Sequence, residues 1–239
     1  MSIWGKIFGG TSGFAVGGPL GGLLGIFAGH AIDTKILPAY ISNDENYKSI
    51  VFTAGVIALS AKMAKADGKV TKDEILTFRK LVQIPKDDIN QVSKLWELAK
   101  ETTDGYELYA KQIYSLFRNQ PEILERILDI LFEIAKSDGN IDATELNYLK
   151  NVSNIFNFDE IIFEKLLALH NPENNSFEIL GAQISDTFED IQKKWKEMVK
   201  NNHPDKLVGQ GMPIEFIESA NQKLAIINSA FEEIKSLRT

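Results

Sequence analysis

The chain has 239 residues, 44% of them hydrophobic and 25% charged, enough apolar material for one large or two small cores. Its net charge of −7, with no half of the chain strongly basic, excludes a protein that grips nucleic acid by neutralising phosphates. There is no cysteine and there are only three histidines (His30, His170 and His203), so a disulfide, a thiolate nucleophile and a cysteine-ligated zinc are excluded, and no cofactor is expected.

The first feature in chain order is GGTSGFAVGGPLGGLLGIFAG, residues 9–29, with glycine at every fourth position: Gly9, Gly13, Gly17, Gly21, Gly25 and Gly29. From Ile7 to Ile32 there is no Asp, Glu, Lys or Arg, and a helix needs roughly 20 apolar residues to cross a bilayer. In water each glycine costs a helix about 1 kcal/mol against alanine. In a bilayer the backbone has no water to bond, and the segment must close its own hydrogen bonds. Residues four apart share a helix face, so the glycines form one smooth stripe against which a second copy can pack. Phe14, Val16, Leu20, Leu23, Leu24, Ile26 and Phe27 supply lipid-facing bulk, and Trp4 stands where an interfacial aromatic would. The long apolar run and the lack of a small-x-small cleavage site argue against a removable signal. The Leu, Ile and Phe content argues against a flexible linker. Pro19 leaves two geometries open, a single pass and a re-entrant hairpin. Residues 1–32 are therefore expected to form a glycine-rich membrane helix that holds two copies together as a homodimer, followed by a polar linker over 33–48.

Amphipathic helices follow. Phe52, Val56, Leu59 and Met63, and then Ile123, Ile127, Leu131 and Ile134, recur at helical steps of three and four. Helices are predicted over 49–66, 71–83, 87–101, 105–118, 121–136, 142–154 and 158–169, and no strand-like alternation competes with them. Two stretches match, AKADGKVTKDEI (64–75) and AKSDGNIDATEL (135–146), each an Asp-Gly, a β-branched residue and a carboxylate seven after the aspartate. They form a duplicated helix–loop–helix unit. Asp67, Asp73, Glu74, Asp138, Asp142 and Glu145 offer hard oxygen ligands to a divalent cation, although neither copy has the alternating oxygens and twelfth-position glutamate of an EF-hand loop. The same residues also read as helix punctuation. Gly68 and Gly139 suit the left-handed turn that ends a helix, and Thr71 with Glu74, or Asp142 with Glu145, has the spacing of a capping box. Over residues 49–169 this pattern resembles the TerB-like tellurite-resistance domain, which implies an all-helical fold more firmly than it implies a function.

A polar linker over 170–175 precedes the last segment, 176–239. Phe188, Ile191, Trp195 and Met198 mark one face of a helix that carries Lys193, Lys194, Lys196 and Lys200 elsewhere. NNHPDK (201–206) interrupts it. Ile217, Ala220, Leu224, Ile227, Phe231 and Ile234 then make the seam of a second helix, predicting a helical hairpin with a tight, proline-fixed tip. The order FEILG, DIQKKWKEMVKNNHPDK, INSAF resembles the J-domain of DnaJ co-chaperones over its full length. That resemblance implies that Lys193, Lys194, Lys196 and Lys200 dock on an acidic face of a DnaK-type chaperone. It also implies that His203, Pro204 and Asp205, with Lys206 beside them, trigger the partner's ATP hydrolysis. Trp195 replaces the family's usual tyrosine, and Glu197 and Asn202 depart from its common basic or aromatic choices. Residues 177–239 hold 8 Lys and Arg against 10 Asp and Glu, so this segment also offers nucleic acid no basic surface. Only residues 232–239 follow Phe231, so the further domains of full DnaJ proteins are expected to be missing.

The order of a membrane segment, a TerB-like domain and a terminal J-domain resembles the DjlA-like family of membrane-anchored DnaJ-type co-chaperones, and HPDKLVGQGMP (203–213) resembles its extended loop. The resemblance implies a protein of the bacterial inner membrane, crossing once, with its J-domain in the cytoplasm beside ATP and the DnaK-type partner. It implies a co-chaperone and no enzyme. A rival reading makes the acidic repeats a metal-responsive sensor of envelope-stress or tellurite-resistance type, with the J-domain as output. A hydrolase is disfavoured, because no second histidine or nucleophile motif accompanies His203.

Overall fold

The computed structural model describes residues 2–8, 18–27, 45–66, 72–101, 105–170 and 176–238, and among them helix is the only regular secondary structure. In chain order the helices are α1 (Ile3–Phe8), α2 (Gly18–Phe27), α3 (Glu45–Ala66), α4 (Lys72–Leu81), α5 (Ile89–Glu101), α6 (Tyr106–Phe117), α7 (Pro121–Ala135), α8 (Ala143–Ile155), α9 (Glu160–His170), α10 (Ser176–Ile179), α11 (Phe188–Asn201), α12 (Pro204–Gly209) and α13 (Ile217–Leu237).

Helix α3 is the axis. Val51, Phe52, Val56, Ile57, Ala58 and Leu59 are all fully buried, so it is apolar on every side, as a helix enclosed by others must be. Helices α1, α2, α5, α6, α7 and α8 pack around it. Helix α7 is the second enclosed helix. Pro121 opens it, where a missing N–H leaves no bond unmade, and Gly139, at φ +123, turns the chain beyond its end. At α8 the Asp142 carboxylate accepts the Thr144 and Glu145 N–H groups at 2.6 and 2.8 Å, while Glu145 accepts the Asp142 N–H at 2.9 Å. This is a complete capping box.

Apolar side chains gather in two unequal cores. The larger spans α1 to α9 and takes in Leu207, Met212, Phe216 and Ala220 from the C-terminal segment. The smaller joins α10, α11 and α13 through Leu180, Ile191, Met198, Ile227, Phe231 and Ile234.

The N-terminal segment differs from expectation where it is described. Helix α2 covers only Gly18–Phe27, and no helix among the described residues is long and apolar enough to cross a membrane. Leu20, Leu23 and Leu24, expected to face lipid, are buried in the larger core, as is Trp4, expected at an interface. The same apolar face that would meet lipid instead leaves water by packing on α3, α5 and α6. The Leu20 N–H, unpaired in the first turn of α2, donates to Gln112 Oε1 at 2.9 Å. Of the glycine stripe, Gly21 is buried, and Gly25 lies in α2. Gly9, Gly13, Gly17 and Gly29 lie outside the described residues, as does most of the linker expected over 33–48.

The hairpin tip is also more elaborate than the tight loop expected. Helix α12 and the turn to Phe216 separate α11 from α13, and this stretch inserts into the larger core. Phe216, fully buried, meets Phe52 edge-on with ring centroids 4.9 Å apart. Ser49 Oγ donates to the Gly211 carbonyl at 3.0 Å. Gly211 has φ +111, and a Cβ there would lie 2.7 Å from Lys48 Cβ, so only glycine fits this contact.

Candidate functional site

Helix α11 presents the lysines. Thr187 caps it, its hydroxyl oxygen accepting the Asp190 N–H at 3.2 Å. Burial of Ile191 and Met198 turns Lys193, Lys196 and Lys200, spaced by three and four, into the solvent on one face. Lys194 is committed elsewhere: its ammonium donates to Asp186 Oδ2 at 2.7 Å and to the Gly181 carbonyl at 2.8 Å. That hydrogen bond holds the Asp186 carboxyl below its ordinary range. Arg238 closes the same turn from the far end of α13, donating to the Asp186 and Ile184 carbonyls at 2.6 and 2.8 Å.

At the tip, His203 is the N-cap of α12, and its Nδ1 accepts the Asp205 N–H at 3.2 Å. Pro204 occupies the first helical position and is buried, so its ring is set in the protein beneath two exposed neighbours. The His203 side chain is 49% exposed and that of Asp205 93% exposed. The arrangement is a fixed corner that offers an imidazole and a carboxylate outward. Lys206 points the other way. It donates to Glu122 Oε1 at 2.8 Å and to Asn201 Oδ1 at 2.9 Å, tying the tip to the start of α7. Burial alone would raise the Glu122 carboxyl, but the Lys206 hydrogen bond and charge bring it below its ordinary value.

The INSAF motif has a visible purpose. The Trp195 indole stacks on Phe231 with centroids 4.2 Å apart and planes 9° from parallel, and its Nε1 donates to Asn228 Oδ1 at 2.9 Å. Tryptophan in place of tyrosine is thus held by both motif residues.

Sequence reading missed a buried charge cluster between α7 and α13. Arg126 bonds Asp129 and, at 3.1 Å, Glu133; His170 Nε2 lies 2.8 Å from Asp129 Oδ1. Lys223 of α13 brings its ammonium within 3.3 Å of Asp129 and 3.6 Å of Glu125. Burial alone would raise the Asp129 carboxyl, yet the Lys223 and Arg126 charges and the His170 bond pull it far below its ordinary range. Glu133 goes the other way, because its desolvation outweighs the attraction of Arg126. A signal existed: Arg126, Asp129 and Glu133 interrupt the apolar run ILERILDILFEIA at steps of three and four.

Of the metal candidates, Glu145 is committed to the α8 capping box and Asp138 is exposed. Asp67 lies outside the described residues, and Glu74 lies in α4. Among the described residues no group of three His, Asp or Glu side chains could hold a metal ion. The second repeat is built as helix punctuation.

The family described as Tellurite resistance protein TerB matches residues 53–168, and that described as Co-chaperone DjlA transmembrane domain matches residues 1–57. Proteins named Co-chaperone protein DjlA are similar along the whole chain. That of Coxiella burnetii is 26% identical, covering 100% of this chain and 99% of its own length. That of Photobacterium profundum is 26% identical, covering 98% of each, and that of Shewanella oneidensis 25%, covering 100% and 99%. No solved structure matches significantly. Fold, site and matches define a class, the membrane-anchored all-helical proteins that join a TerB body to a J-domain hairpin. Within that class the two family matches and the whole-chain similarity support a DjlA-like co-chaperone.

Proposed function

We propose that this chain is a membrane-anchored co-chaperone whose C-terminal hairpin stimulates ATP hydrolysis by a DnaK-type chaperone. The observation that carries the reading is the tip: His203 and Asp205 stand outward on a corner fixed by Pro204, directly after a helix with an exposed lysine face. Lys193, Lys196 and Lys200 speed and orient the encounter with an acidic surface. Lys194 and Lys206 serve through what they hold, Lys194 the turn before α11 and Lys206 the tip against α7. The chain has no reaction of its own in this reading. His203, Pro204 and Asp205 act on the partner's ATPase.

The domain limits we adopt are 49–169 for the TerB-like body and 176–239 for the J-domain, joined by 170–175. Residues 1–32 anchor the chain in the bacterial inner membrane with a single pass, and the hairpin lies in the cytoplasm, where ATP and the partner are. In the anchored form the segment exchanges its packing on α3, α5 and α6 for lipid, and the glycine stripe joins two copies. The transmembrane-domain match over 1–57 supports the anchor; the cytoplasmic side follows from where the partner's nucleotide is.

The test is His203→Gln. Because the imidazole is half exposed at a corner, the helical circular-dichroism signal should be unchanged while stimulation of DnaK ATPase is lost. Retained stimulation would refute the co-chaperone mechanism.

A further inference from the structure

A cleft of about 900 Å³ opens between α9 and α11. It is built on the stripe of α11 that carries Lys194, Glu197, Met198 and Asn201, next to the stripe that carries the exposed lysines. Its floor is apolar, with Leu180 and Met198 from the hairpin and Leu167 from α9, and Ile161 stands in its wall 76% exposed. An isoleucine exposed on that scale has most of its apolar surface left to bury against a ligand.

The lining is acidic, holding five glutamates and two lysines. One of those lysines, Lys194, is already neutralised by Asp186 at 2.7 Å. Glu164 on the α9 side and Glu197 on the α11 side are both exposed and face the cleft from opposite walls. An apolar floor between two acidic walls is complementary to a chain segment with an apolar side chain flanked by basic ones. The volume accommodates several side chains.

We propose that this cleft docks a short segment of client polypeptide in which lysine or arginine flanks a large apolar residue. The apolar side chain lies over Leu180 and Met198 beside Ile161, and the basic groups meet Glu164 and Glu197. Asn201 and Asn202 line the end of the cleft and immediately precede His203, so a docked segment lies beside the tip that addresses the chaperone. The word client rests on the co-chaperone reading; the binding does not, and it is measured without any chaperone.

The experiment is fluorescence anisotropy with the full-length chain in neutral detergent micelles, corrected for empty micelles. The probe is a fluorescein-labelled peptide alternating lysine and leucine, against a control with glutamate for lysine. The lysine peptide should bind, more weakly as salt rises, and the glutamate peptide should not. Glu164→Lys should weaken binding by about ten-fold or more, equivalent to about 1.4 kcal/mol. Ile161→Ser, at an exposed position with little packing to lose, should weaken it at all salt concentrations. No binding, equal binding of both peptides, or unchanged affinity in both variants would each overturn the proposal. A chain that stimulates DnaK yet fails here refutes the cleft alone.

Discussion

Replacing Lys223 by methionine removes one ammonium from the cluster between α7 and α13 and keeps most of its apolar stem. At 3.3 Å from Asp129, in an effective dielectric of about 20, the attraction lost is about 5 kcal/mol. Against it stand several kcal/mol, roughly, for desolvating a buried ammonium, and repulsion from the Arg126 guanidinium on the same carboxylate. Asp129 also keeps Arg126 and His170. The net loss for Lys223→Met should therefore be only about 1–2 kcal/mol. Asp129→Asn is the harsher change, at about 3–5 kcal/mol, since it removes the carboxylate that both buried cations share and leaves Arg126 only Glu133 and Lys223 only the more distant Glu125. Arg126 Nε and Nη2 already lack a hydrogen-bond partner among the described residues, so only Glu133 is left to offset its charge. In the Asp129→Asn background, Lys223→Met should restore about 1 kcal/mol, because it then removes a buried cation with only the Glu125 carboxylate, 3.6 Å away, to offset it. Urea unfolding of the detergent-solubilised chain, followed by tryptophan fluorescence, measures all four corners of the cycle. If Lys223→Met costs as much as Asp129→Asn, or if the two simply add, the cluster is not organised around Asp129.

Reversing Lys193 and Lys196 to glutamate should weaken DnaK binding, more at low than at high salt, because exposed charges are screened over about 8 Å at physiological ionic strength; equal loss at every salt concentration would contradict electrostatic docking. Glu122, its carboxyl lowered by Lys206, contributes stability above the ordinary carboxylate range and loses it as pH falls through the lowered value. Glu122→Gln should thus cost about 1 kcal/mol or less at neutral pH and nothing in strong acid, and a pH-independent difference would show the tie to be inert. Replacing Gly17 and Gly21 by leucine should leave membrane insertion intact and lower the crosslinked dimer yield. Unchanged yield with a destabilised helical body would assign Gly21 to packing within its own chain.

Periodicity carried much of the fold. The apolar steps in α3 and α7 placed both helices to within a few residues, because a helix enclosed by others has to be apolar over its whole length. Asp142 with Glu145 and the His-Pro-Asp tip were legible for a different reason: caps and proline turns are made by neighbours in sequence, so their geometry is written locally. What escaped reading is non-local. A lysine in the apolar seam of α13 has no partner within its own helix, and only the packing of α13 on α7 brings Lys223 to Asp129. Lys194 looked like its neighbours Lys193 and Lys196 until the turn before α11 folded back to offer Asp186. The glycine stripe was ambiguous in principle, because a smooth helix face accepts a helix of its own chain as readily as a second copy.

The long stretch after Asp205 shows what such non-local contacts achieve. Phe216, just before α13, and Ala220 in its first turns belong to the larger core, while Ile227, Phe231 and Ile234, further along α13, belong to the smaller one. Phe216 with α13 thus bridges both cores, and two ties hold the C-terminal segment to α7: Lys206 of α12 to Glu122, and Lys223 of α13 to Glu125 and Asp129. A hairpin held this way cannot swing about the linker at 170–175 without breaking buried contacts. The tip at His203 therefore keeps a set direction relative to the helical body. Held so, a cleft between α9 and α11 keeps one shape, and under the proposed function a segment docked there would reach the His203 corner in a defined orientation.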